Sequence, residues 1–202
     1  MNLICLDLEG VLVPEIWIAF SETTGIAELS LTTRDEPDYD KLMRYRIDLL
    51  QKHKLKLGDI QNVIGKMDVL DGAIDFVNNL RERSQLIILS DTFEQFAKPL
   101  MAKLGHPTLF CNTLVTGADG AVTGYRLRQP NGKKCAVAAF KSLQFKVFAA
   151  GDSFNDLAMI AEASHGCLFR APEAIRRDNS HLHCHDTFDG LLGEIDRFLN
   201  AG

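Results

Sequence analysis

The chain of 202 residues lacks a long apolar run, a basic block and a cysteine framework. No segment approaches the roughly 20 apolar residues of a membrane helix, so no membrane partner is expected. The first residues carry no basic region, and Asp7 and Glu9 interrupt the apolar stretch there. Neither a signal peptide nor an anchor is expected. Lysine and arginine number 22 against 27 acids, a net charge of −5 with no basic cluster to offset it, which argues against a nucleic-acid partner. The five cysteines (Cys5, Cys111, Cys135, Cys167, Cys184) are odd in number, scattered and mostly inside apolar runs. They read as reduced, buried thiols of a cytoplasmic protein. Repeats and low-complexity segments are missing too. What is present is ordinary, 46% hydrophobic and 24% charged, the composition of one globular core with room for an insertion.

The chain is organised around its start. Leu3, Ile4, Cys5 and Leu6 are too short a run for a helix and read as a buried strand. Asp7 and Glu9 follow at positions i and i+2, and Gly10 breaks the pattern. Two unpaired carboxylates in a buried place cost several kcal/mol each, roughly, so a cation is expected between them unless they are solvated.

Residues 14–72 carry no strand signal. Pro14 suits a first helical turn, and Ile16, Trp17, Phe20 and Ile26 form a helical stripe that ends near Gly25. Residues 30–37 read as a loop. Asp38 caps a helix from Tyr39 to Lys52, and a further helix spans Leu57 to Met67. Beyond this block, helix and strand alternate. A helix from Ala73 to Arg83 precedes a strand at Leu86–Leu89 that ends in Ser90-Asp91-Thr92. The helix from Phe93 to Leu104 leads to a strand at Leu109–Cys111. Gly117-Ala118-Asp119-Gly120 is a hairpin signal. Lys133 and Lys134 open a helix through Leu143. Val147–Ala150 is a strand that ends in Gly151-Asp152-Ser153-Phe154-Asn155-Asp156. After a helix to Ala163 comes a strand at Cys167–Phe169, and Asp186 caps a last helix to about Leu199. This order predicts an α/β fold, a Rossmann-like, mostly parallel sheet formed by residues 1–13 and 73–202, with a helical cap at 14–72.

In such a sheet the carboxyl ends of strands share one edge. Asp7, Glu9, Ser90, Asp91, Asp152, Asn155 and Asp156 therefore converge on one crevice. Oxygen-only donors favour a hard divalent ion, Mg²⁺, which binds substrate phosphate. Asp7 and Asp152 are its expected ligands, with a backbone carbonyl between Asp7 and Gly10 as a third. Whether Glu9 joins by side chain or backbone stays open. Asp7 is the expected nucleophile and Glu9 the expected acid and base. Ser90 and a lysine would hold phosphoryl oxygens, Asn155 would orient a ligand, and Asp156 would hold the lysine or a metal-bound water. Lys133 is favoured over Lys134 because it falls three, four and seven residues before Ala136, Val137 and Phe140, the inward face. Singly, these residues have duller readings: Ser90 a helix start, either lysine a surface charge, Asp152 a turn residue. Alternate histidines at 181, 183 and 185 could hold zinc, but no second set of soft ligands lies nearby in sequence. They read as a polar strand edge. Arg170, Arg176 and Arg177 read as solvated surface.

Asp7-Leu8-Glu9-Gly10-Val11, Ser90, Lys133 and Gly151-Asp152-Ser153-Phe154-Asn155-Asp156 resemble, in order, the four motifs of the haloacid dehalogenase superfamily of phosphatases. The resemblance covers nearly the whole chain. Within it, Cys5–Glu15, Leu89–Phe93 and Ala149–Ser153 look like phosphoserine phosphatases, in the branch that also acts as phosphoserine:homoserine phosphotransferase. The resemblance implies hydrolysis of O-phosphoserine with transfer to homoserine, with Glu15 on the substrate ammonium and Arg46 on its carboxylate. Such a zwitterion needs one anion and one bidentate cation away from the phosphate. One departure stands out: most of that superfamily has aspartate where Glu9 stands. The longer acid is expected to weaken activation of water and admit a competing hydroxyl. Two other readings remain, a phosphatase of the same family for another small phosphomonoester, and a phospho-accepting module like the bacterial receiver domains.

Overall fold

The computed structural model describes residues 1–201 other than Arg34 and Pro37. Arg34 and Pro37 of the expected 30–37 loop, and Gly202, lie outside the described residues. Strand β1 (Asn2–Leu6) is the middle of a seven-stranded sheet. The others are β2 (Gln85–Phe93), β3 (Thr108–Thr116), β4 (Val122–Arg126), β5 (Lys146–Gly151), β6 (His165–Phe169) and β7 (Cys184–His185). Their order is β4-β3-β2-β1-β5-β6-β7, parallel throughout except for the antiparallel β3–β4 pair.

Strand periodicity explains the two cores. Ile4 and Leu6 face one side, with Phe148, Ala150, Phe169 and the inner faces of α4 (Ala73–Arg83), α5 (Glu94–Lys103) and α9 (Phe188–Asn200). Leu3 and Cys5 face the other, with Val147, Ala149 and the inner faces of α6 (Gly132–Ser142) and α7 (Leu157–Glu162). A sheet covered on both faces is why its strands read as continuous apolar runs. A short α8 (Glu173–Asp178) completes the core.

Between β1 and α4 lie α1 (Ile16–Thr24), a 3₁₀ turn at Ala27–Ser30, α2 (Tyr39–Lys52) and α3 (Leu57–Ile64). Gly25 ends α1 in the left-handed conformation, φ +70°. Asp38 caps α2 by accepting from Lys41 N at 3.1 Å. These helices bury Trp17, Phe20, Met43, Leu50 and Ile60 in the same apolar cluster as α5. Polar ties fasten them to the rest: Tyr125 donates to Asp40 at 2.7 Å, Leu57 N to Gly120 O at 3.0 Å, and Lys103 to Asp68 at 2.6 Å.

Several boundaries differ from expectation. β2 does not stop before Ser90 but runs on to Phe93, so α5 starts at Glu94. Its pairing with β3 is irregular between Leu89 and Phe93, where Ser90 Oγ accepts from Thr92 N at 3.2 Å and takes the place of a ladder bond. β3 is longer than expected because its second half pairs with β4, and Gly117–Gly120 forms the turn of that hairpin. α3 stops at Ile64 rather than Met67. The last helix is capped by Thr187, which accepts from Gly190 N at 3.1 Å; Asp186 instead pairs with Arg176. Arg176 is thus a half-buried clamp rather than solvated surface. All five thiols are free, but only Cys5 and Cys167 are fully buried. Among the described residues no helix is long and apolar enough to cross a membrane.

Candidate active site

Register sets the site. Leu6 stands level with Ile88 on one side and Ala150 on the other. Asp7 therefore lies one residue beyond the paired part of β1, and Ser90 and Asp152 two residues past the last residues of β2 and β5 that pair with it. β1 is also where the sheet order reverses direction, the position at which open α/β sheets form a crevice at their carboxyl ends. Asp7 N still donates to Ala150 O at 3.0 Å, which holds its side chain at the rim. The chain then doubles back, Gly10 N to Val13 O at 2.8 Å and Val13 N to Leu8 O at 3.0 Å. Gly10 has φ +75°, and a Cβ there would lie 2.5 Å from Asp152 Cγ. No other residue fits this turn without moving Asp152.

A cavity of about 250 Å³, of a size for a small molecule, opens at this edge. It is lined by Asp7, Glu9, Glu15, Arg46, Ser90, Asp91, Lys133, Asp152 and Asn155. Asp156 alone of the expected residues is not on its wall; it is fully buried behind it.

The acids are organised around one lysine. Lys133 is buried, 2.9 Å from Asp7 Oδ1, 2.8 Å from Asp156 Oδ1 and 3.7 Å from Asp91 Oδ2, while Lys134 is exposed. Burial pulls the Lys133 ammonium down, but Asp156, Asp7 and Asp91 outweigh it and hold it well above its usual range. Asp156 spends its other oxygen on Asp152 N, Ser153 N and Ser153 Oγ, at 3.1, 3.0 and 3.0 Å. Carboxylate oxygens of Asp7, Asp152 and Asp156 lie within 4.8 Å of one another. Burial, then the charges of Asp156 and Asp152, push the Asp7 carboxyl well above the usual range, against the pull of Lys133. Three buried acids stand around one ammonium, and every metal-ligating atom of the set is oxygen. The set fits a hard divalent cation such as Mg²⁺. Asp7 and Asp152 line the cavity, where an ion could reach them, whereas Asp156 stands behind its wall.

A second charged group lies on the helical side. Glu9 Oε2 accepts from Ile16 N at 2.9 Å, at the start of α1, and Thr92 donates to the same carboxylate. Its side chain is not among the clustered oxygens, so a side-chain metal ligand is not what the geometry favours. Burial and then the Glu15 charge push the Glu9 carboxyl up to about 7. Glu15 precedes α1 but does not cap it with its side chain. Arg46 is buried, unlike its exposed neighbour Arg44. Its guanidinium stacks 4.5 Å over Trp17 and donates to Leu31 O at 2.6 Å, yet its Nε has no partner. Burial lowers its pKa to about 10, against Tyr39, Glu9 and Glu15. Arg46 thus brings a buried positive charge to the wall of the cavity.

Sequence reasoning missed Thr92, Trp17 and Tyr39. Tyr39 donates to Asp91 O at 3.2 Å from the first turn of α2. The first two read as core or helix-start residues, and only the packing of helix on sheet turns them toward the cavity.

Residues 1–164 match the family profile described as haloacid dehalogenase-like hydrolase. The chain belongs to the haloacid dehalogenase-like hydrolases. It is 54% identical over 201 residues to the phosphoserine phosphatase ThrH of Pseudomonas aeruginosa, covering 100% of this chain and 97% of that protein. Its fold is that of solved members of the family. A substrate-bound phosphoserine phosphatase complex superposes with a TM-score of 0.78 at 21% identity, over 98% of this chain and 97% of that one. A phospho-aspartyl intermediate analogue of phosphoserine phosphatase does so with a TM-score of 0.75 at 19% identity, over 91% and 92%. The haloacid dehalogenase-like core thus presents its carboxylates where β1 and β5 end, beneath the helices that follow β1.

Proposed function

We propose that this hydrolase removes phosphate from O-phosphoserine through a phosphoaspartyl intermediate on Asp7, and passes part of that phosphate to homoserine. The observation that carries the reading is Asp7 itself: a buried carboxylate just past the end of β1, 2.9 Å from Lys133, in a cavity that Arg46 also lines. The high identity to a phosphoserine phosphatase supports it.

Residues 14–72 act as a cap on a core of 1–13 and 73–202. Glu15 takes the substrate ammonium, and Arg46 its carboxylate. Ser90 and Lys133 hold the phosphoryl oxygens, with Asp91 and Asn155 beside them. Asp7 and Asp152, with a backbone oxygen between Asp7 and Gly10, would hold Mg²⁺, which when bound would polarise the phosphoryl group and favour the ionised form of Asp7. Asp156 positions Lys133 and the turn that carries Asp152. An Asp7 oxygen attacks phosphorus, and the phosphorus–oxygen bond to serine breaks as Glu9 gives its proton to the leaving oxygen. Glu9, now ionised, takes a proton from water, which attacks phosphorus, frees phosphate and restores Asp7. When homoserine stands in place of water, its hydroxyl oxygen takes the phosphoryl group and phosphohomoserine leaves.

Incubation with Mg²⁺, O-phosphoserine and homoserine, following both phosphate and phosphohomoserine, tests this. Turnover of O-phosphoserine well above a panel of other phosphomonoesters is expected, and Asp7→Asn should abolish it. Retention of most activity by that variant would remove the nucleophile assignment. A single stable phosphorylation without turnover would favour the receiver-like reading.

A further inference from the structure

The structure gathers a second set of ionisable side chains on the far edge of the sheet, on the face covered by α9. His183, just before β7, and His185, within it, fall on one side of the chain by strand alternation, and Glu194 of α9 meets both. His183 Nδ1 lies 3.1 and 3.2 Å from the two Glu194 oxygens, and His185 Nε2 lies 3.2 Å from Oε2. His165, at the start of β6, adds Nε2 at 2.7 Å from Oε1. Glu194 is 2% exposed, and none of these residues lines the cavity around Asp7. The alternating histidines read from sequence as a polar strand edge because the carboxylate that completes them stands on another element.

We propose that His183, His185 and Glu194 form a binding site for a transition-metal ion of the Zn²⁺ class, separate from the phosphate-handling site. One atom from each lies within 4.8 Å of the others. With metal–ligand bonds of about 2.0–2.1 Å, tetrahedral ligands stand about 3.3 Å apart, close to the 3.1–3.2 Å that separate each histidine nitrogen from a Glu194 oxygen. Two imidazoles and one carboxylate suit Zn²⁺, Co²⁺, Ni²⁺ or Cu²⁺ and not Mg²⁺, which prefers oxygen. His165 holds Oε1 and leaves Oε2 turned toward His185, the role of an outer partner that aims a ligand. Arg197 also donates to Oε2; its side chain is 66% exposed, so an ion that displaced it would return its charge to solvent. The ion would join β7, a strand of two residues, to α9 and close the edge of the sheet.

The test uses untagged protein with excess Mg²⁺ present, titrated with Co²⁺ as a spectroscopic probe and with Zn²⁺ in thermal melts. One Co²⁺ per chain with a tetrahedral visible spectrum is expected, and a higher melting temperature in Zn²⁺. His183→Ala/His185→Ala should abolish saturable Co²⁺ binding while phosphatase activity stays unchanged. Arg197→Ala should tighten binding by removing a competing cation. Absence of saturable binding, equal binding by the double variant, or displacement of Co²⁺ by Mg²⁺ would each overturn the proposal, and none would touch the reading of the Asp7 site.

Discussion

At the scale of single residues, two positions carry most of the site's precision. Gly10 exists to let Asp152 approach β1. Gly10→Ala combines a left-handed φ, costing about 1–2 kcal/mol, with a Cβ 2.5 Å from the Asp152 carboxyl carbon. Loss of Mg²⁺ affinity larger than the loss of stability is expected, read by calorimetric titration beside a urea melt. Glu9 is the other. Its carboxylate spans the gap to Ile16 N, so it ties the turn after β1 to the start of α1. Glu9→Asp shortens that reach by one methylene and releases the bond. The ratio of phosphohomoserine to phosphate should fall in this variant, and an unchanged ratio would refute the link between side-chain length and acceptor choice. Both positions were legible as motif members, because chemistry that needs paired acids and a tight turn leaves those residue types at short spacing.

At the scale of elements, the turn after β5 is the clearest unit. Phe154–Asp156 is a 3₁₀ turn whose cap, Ser153, and third residue, Asp156, satisfy each other. Gly151 is glycine because a Cβ would fall 2.2 Å from Asp156 Cγ. Asp156 has two acceptor oxygens and four donors to satisfy, so Asp156→Asn, with one acceptor and a new amide donor, cannot serve both Lys133 and the turn. Breaking this buried charged contact is expected to cost about 3 kcal/mol, measured as a shift in urea midpoint with unchanged slope. Helix phase singled out Lys133 over Lys134, because a residue three and four before buried alanine and valine must face inward. The extension of β2 to Phe93 was not legible. Ser90-Asp91-Thr92 is a polar triplet that resembles a helix start, and only pairing with Asn112 of β3 carries the strand on.

At the scale of the molecule, one sheet supports everything. Phe148, fully buried, packs against Phe198 at 5.6 Å and His165 at 5.7 Å between centroids. Phe148→Ala should destabilise by about 3–5 kcal/mol, seen in the thermal or urea midpoint, with kcat of the remaining folded protein nearly intact. Its cavity opens under α9, away from the residues that line the reaction site. The helices of 14–72 lean on the core through α5 and the β3–β4 hairpin, and those ties, rather than any one motif, set the height of the roof above Asp7.

The sequence alone determined the strand–helix alternation, the helical block after the first strand, and the acids at strand ends, because local periodicity and turn chemistry are written in neighbouring residues. Only the tertiary structure decided that Asp156 stands behind the cavity rather than in it, that Arg46 keeps an idle donor over Trp17, and that Glu194 meets His165, His183 and His185. Those facts depend on how far one element is rotated and slid against another. That is settled by packing of the whole core, and no short stretch of residues contains it.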